Sequence, residues 1–128
     1  MNRSPRDLVS LFWATANARE WDRFATLLHP DLVYRVPQTR EVARGAAGLV
    51  DVFRTWPGEW TAHVETLVAD DRRAFSVVRF EVGGTFETGI SRFECAGGAI
   101  VSVTDWWPAP YDPPARASDW LKREDAPA

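Results

Sequence analysis

Asp105 lies near the end of the run Gly98-Ala-Ile-Val-Ser-Val-Thr-Asp-Trp-Trp107, with Val103 on one side and two tryptophans on the other. A carboxyl in apolar company loses the hydration that favours its charged form. Its pKa rises toward the range where it can take or give a proton near neutral pH. An aspartate paired or solvated at a strand end is the other reading, and the residues leave both open. Arg79 and Glu81 stand two apart in a strand-like run, so they share a face with Phe75 and Val77. They form either part of a site or a solvated surface pair worth about 0–1 kcal/mol. Tyr34 alternates with Leu32 and Val36, the apolar side of its own run. Its hydroxyl therefore looks inward, where it can donate to a substrate oxygen or belong to a ring that fills the core. His63 has the parity of Glu65, opposite to Trp60, Ala62 and Val64, and is expected outside. His29 precedes a proline at a helix end and reads as a cap rather than a base.

The elements that must position these groups follow from spacing. Ser4-Pro5 opens a helix, with Asp7 in its first turn. Leu8, Leu11, Phe12 and Thr15 then recur at helical spacing, widened by Val9, Trp13 and Ala16 into a broad buried side. Trp21, Phe24, Ala25 and Leu28 share a face of a second helix that stops at His29-Pro30. Residues 31–37 read as a strand, 38–44 as a polar loop, and 45–56 as a third helix ended by Pro57-Gly58. Four strands are expected after that, over about 59–69, 74–82, 85–95 and 99–107. The links between them are short, Gly83-Gly84 and Gly97-Gly98 among them, so these strands pair antiparallel. Helices followed by such a meander predict an α+β fold in which a strongly bent sheet wraps three helices and leaves an apolar cavity. One domain over 1–108 is expected, then a tail over 109–128 with prolines at 110, 113, 114 and 127.

The bulk properties narrow the function classes. Seven tryptophans and seven phenylalanines in 128 residues either pack a dense core or line a greasy cavity. The net charge of −3, with scattered Lys and Arg, argues against nucleic acid, which asks for a basic patch. No apolar run approaches the roughly 20 residues of a membrane helix, and the first ten residues carry no secretory h-region. One cysteine, Cys95, and two histidines make a poor metal set. A cytoplasmic, metal-free and cofactor-free protein is expected.

Three stretches resemble the nuclear transport factor 2 superfamily, in particular its SnoaL-like and limonene-epoxide-hydrolase-like branches. They are Trp21-Asp-Arg-Phe-Ala-Thr-Leu-Leu-His-Pro-Asp-Leu-Val-Tyr34, the Arg44-Gly45 before the third helix, and the Gly98–Trp107 run. The resemblance spans about Pro5 to Trp107 and implies a cone-shaped fold. It carries acid–base work onto Asp105, and it implies an Arg79 that bridges Glu81 and Asp105 as in the epoxide hydrolases. Two positions depart from that family: Glu81 stands where it has Asp, and Val36 where it has a water-holding asparagine. Cyclisation or isomerisation of an apolar polyketide- or terpenoid-like molecule therefore ranks above epoxide opening, with non-catalytic ligand binding as the alternative. The pocket wall is expected from Phe12, Val36, Phe53, Trp56, Trp60, Val77, Val103 and Trp107. A homodimer is implied, formed through an outer sheet face on which Val78, Phe80 and Val82 are expected to lie. Trp120, alone in the tail, either folds back over an opening or reaches a partner subunit.

Overall fold

The computed structural model describes residues 3–125. Its elements are α1 (Pro5–Asn17), α2 (Trp21–Thr26), β1 (Leu28–Val36), β2 (Glu41–Arg44), α3 (Ala46–Arg54), β3 (Trp60–Ala69), β4 (Arg73–Val82), β5 (Thr85–Ala96) and β6 (Ala99–Trp106). The strands form one sheet in the order β2-β1-β6-β5-β4-β3. Only β1 and β6 run parallel, and every other pair is antiparallel. The fold is α+β, with a curved, unclosed sheet packed around α1 and α3.

Local chemistry accounts for most boundaries. Ser4 caps α1 by accepting the Asp7 N–H at 3.2 Å, and Pro5 occupies a first-turn position that needs no donor. The Gly83-Gly84 and Gly97-Gly98 turns have positive φ at both central residues, the backbone of the tight hairpins whose twist matches the strands they join. Two boundaries differ from the sequence reading. Leu28 and His29 already belong to β1, where Leu28 pairs with Ile100 rather than ending α2. The polar stretch 38–44 contains the edge strand β2, whose four residues pair with Val33–Val36. Its polarity is that of an edge in water, so it carries no apolar alternation to read.

The core is a knot of rings. Phe12, fully buried on α1, has Trp13, Phe24, Phe53 and Phe93 between 4.8 and 5.4 Å centroid to centroid. The end of α1 is fastened to β3 by side chains. Asn17 donates to and accepts from the backbone of Ala62, both at 2.8 Å. Arg19, at φ 60°, lies 4.0 Å over the Trp60 ring and donates to the Trp60 carbonyl. At the α3–β3 corner, Gly58 has φ +84°, and a Cβ there would stand 2.6 Å from Val82 Cγ1. Gly58→Ala is therefore expected to destabilise the fold by about 1–3 kcal/mol, read as a lower urea midpoint. An unchanged midpoint would mean that this corner relaxes freely.

Candidate active site

Asp105 sits on β6 and is 2% exposed. Two hydroxyls hold its carboxylate. Ser91, directly across on β5, donates to Oδ1 at 2.6 Å. Tyr34, on β1 beside Val103, donates to Oδ2 at 2.6 Å. No Lys, Arg or His lies within ion-pair distance of this carboxylate among the described residues. Burial pushes the Asp105 pKa up to about 6, and the Ser91 and Tyr34 hydrogen bonds offset only part of that rise. Burial, and next the Asp105 charge, push the Tyr34 phenol well above its ordinary range, which keeps it a donor.

Over this carboxylate lies a small cavity walled by Trp13, Tyr34, Phe53, Trp56, Trp60, Phe80 and Trp107. Trp56 stacks on Trp107 at 6.1 Å and 18°, Trp60 stacks on Phe80 at 5.2 Å and 25°, and Phe80 meets Trp107 edge to face at 5.3 Å. The space they leave is about 20 Å³, enough for a single water molecule. Trp56 is the most exposed of these rings, at 38%. Gln38 clamps the backbone of Trp107 on both sides, accepting its N–H at 2.5 Å and donating to its carbonyl at 3.2 Å. The indole Nε1 of Trp107 is buried and has no hydrogen-bond partner among the described residues.

The sequence-derived candidates divide sharply. Asp105, Tyr34, Phe53, Trp56, Trp60 and Trp107 come together at the cavity. Arg79 and Glu81 do not. Arg79 lies on the outer face, 3.6 Å from Glu65 and 4.1 Å over the Phe86 ring. Glu81 meets His63 there at 2.8 Å, so His63 does face outward. The expected Arg79 bridge between Glu81 and Asp105 is therefore absent. The reason is the parity of β4: Ala74, Ser76, Val78 and Phe80 are its buried side, fixed where the Trp13 N–H bonds Ser76 Oγ at 3.1 Å. Val78, Phe80 and Val82, all expected outside, are thus on the inner side, and Val77 is outside. Phe12, Val36 and Val103 are buried in the core rather than on the cavity wall. His29 is exposed on β1 rather than at a helix end, so it is not a helix cap, and its Nδ1 accepts the Asp31 N–H at 3.0 Å. Tyr34 spends its hydroxyl on Asp105, not on the open cavity.

Sequence reasoning missed Trp13, Phe80, Ser91 and Gln38. Phe80 follows from β4 parity once Ser76 is placed inside. Ser91 is hidden by a bulge in β6. Counted back from the Gly97-Gly98 turn, an unbroken ladder sets Ile90 opposite Asp105. The shift between Cys95 and Glu94 leaves Val101 unpaired and brings Ser91 across instead.

Comparison with known proteins bears on the fold and the family. Residues 9–103 match the family profile of the SnoaL-like domain. No protein with a curated description matches the chain. A proposed ketosteroid isomerase from Kribbella flavida DSM 17836, known from its crystal structure, is 33% identical, with a TM-score of 0.88 over 98% of this chain and 93% of that one. A proposed polyketide cyclase from Sinorhizobium meliloti (14% identity, TM-score 0.69, covering 77% and 93%) shares the fold. So does an epoxide hydrolase like the limonene enzyme from M. tuberculosis (17%, 0.68, covering 81% and 82%).

Proposed function

The chain belongs to the SnoaL-like family, and from that premise we propose that it is a cofactor-independent enzyme in which Asp105 is the general base. The observation that carries this reading is a buried carboxylate, held by two hydroxyls and by no cation of the described residues, beneath a wall of aromatic rings. A group that titrates near 6 is ionised at neutral pH yet basic enough to remove a proton activated by a carbonyl. The substrate is an apolar, oxygen-bearing molecule of polyketide or terpenoid type, and the reaction a cyclisation or double-bond isomerisation. Tyr34 and Ser91 orient the base. Trp107 Nε1, the buried donor left without an acceptor, supplies a hydrogen bond to the substrate oxygen as charge develops there. Trp56, the most exposed of the wall rings, swings outward to admit substrate, since the space within the wall holds no more than a single water. Epoxide opening ranks lower, because Arg79 and Glu81 stand on the far side of the sheet from Asp105.

Proton exchange tests this directly. The protein would be incubated in D₂O with a panel of β,γ-unsaturated ketones and β-keto esters, and deuterium uptake followed by NMR. Uptake at the carbon beside the carbonyl that depends on Asp105 is expected. Ligand-induced quenching of tryptophan fluorescence with no exchange on any compound would favour the binding reading instead.

On a compound that is turned over, kcat/KM should rise as pH passes through about 6 and then level, because the ionised form is the active one. Tyr34→Phe removes a hydrogen bond that lowers the Asp105 pKa. Its pH–rate midpoint should therefore lie higher than that of the wild type, with roughly tenfold less activity at low pH. An unmoved midpoint would show that the phenol does not act on the carboxylate.

Two copies pair through the outer face of the sheet in this proposal. Val68, Phe75 and Phe86 are exposed there, an apolar surface that a second copy would cover.

A further inference from the structure

One row of the outer face crosses all six strands: Val42, Arg35, Thr104, Arg92, Phe75 and Val68 stand side by side in the ladder. Arg92 lies over the Trp106 ring at 5.3 Å, and its Nε is buried without an acceptor among the described residues. Neither Arg92 nor Arg35 has a carboxylate within ion-pair distance among the described residues. The row thus offers two guanidinium groups beside exposed apolar side chains. A planar donor between apolar neighbours suits a carboxylate flanked by hydrophobic residues.

The tail has that complement. Residues 107–125 form no helix or strand. Tyr111, Trp120 and Leu121 are 80%, 94% and 67% exposed. The tail ties to itself through Arg123 and Asp112 at 3.3 Å, while Asp119, just before Trp120, is in none of the ion pairs of the described residues. Trp120 and Leu121 are adjacent large apolar side chains left in water, with surface to bury against a partner. The match to the Kribbella flavida crystal structure covers 98% of this chain. Residues 1–107 are well under nine-tenths of it, so the match takes in most of the tail.

We propose that the Asp119-Trp120-Leu121 segment of one copy docks on the outer sheet face of a second copy. Trp120 and Leu121 cover Phe75 and Val68, and Asp119 pairs with Arg92 and Arg35. This rests on the homodimer reading above and adds the element that fastens it.

Sedimentation equilibrium tests both and separates them. The variants are a chain ended after Pro110, Trp120→Ala, Asp119→Lys, and Asp119→Lys combined with Arg92→Glu. Trp120 and Asp119 are exposed in the single copy, so thermal melts of these variants should keep their shape. Truncation and Trp120→Ala are each expected to weaken the dimer at least about tenfold. Asp119→Lys should weaken it as well, with much of the loss restored when Arg92→Glu is added. A truncated chain that pairs as tightly as the full one would overturn the docked tail and leave the dimer intact. A full chain that stays monomeric would overturn both. Failure of the charge swap to restore pairing would overturn the Asp119–Arg92 contact.

Discussion

Asp105→Asn is expected to abolish turnover while making the protein more stable at neutral pH. The loss of activity should be about 10²–10⁴-fold, the usual contribution of a positioned acid–base group. The gain in stability follows from linkage. Asp105 titrates near 6 in the folded chain, above its ordinary 3.8, so folding favours its protonated form. That preference costs nothing below about pH 4, where the group is protonated folded or unfolded. It grows between about pH 4 and pH 6 and levels off at ~3 kcal/mol above that, where a buried charge must be carried. An amide carries no charge. The variant should therefore exceed the wild type by up to ~3 kcal/mol at pH 7.5 and by little at pH 4, measured by urea unfolding at both. An inactive variant less stable at both pH values would assign Asp105 a structural role instead.

Phe12→Ala should produce the largest loss of stability from one core change. The ring is fully buried and meets four other aromatic side chains. Its removal opens a cavity at the junction of α1, α2, α3 and β5, where the rigid neighbours cannot close in. A cost of about 3–5 kcal/mol is expected, a large share of the 5–15 kcal/mol that holds a domain of this size. Chemical denaturation measures it, and a cost below about 1 kcal/mol would mean that the ring cluster repacks. Phe12 lies off the cavity wall, so the Asp105 pKa should change little in variant molecules that stay folded.

The helices and the long strands were legible because their apolar residues repeat at the period of the element. Asp105 was legible because its flanking residues announce burial. What escaped depends on relations between strands. In β4 both faces alternate apolar residues, Phe75 and Val77 on one and Val78 and Phe80 on the other, so the period fixes a strand but not its inner side. That ambiguity sent Arg79 and Glu81 inward on paper and outward in the fold. The Val101 bulge moved Ser91 by one place, a step that nothing local to Ser91 records. Gln38 looked like loop because its work is done on the backbone of Trp107, far along the chain.

The central claim is that Asp105 is a buried carboxyl poised to exchange a proton near neutral pH, and it can be measured without knowing the substrate. Aspartate side chains would be labelled with ¹³C, and the carboxyl signals titrated by NMR from pH 3 to 8. The signal missing from the Asp105→Asn spectrum identifies the residue. A midpoint near 6 is the result predicted here. A midpoint at or below 3.8 would mean that the charged form is well solvated or paired, and would contradict the assignment of Asp105 as the base.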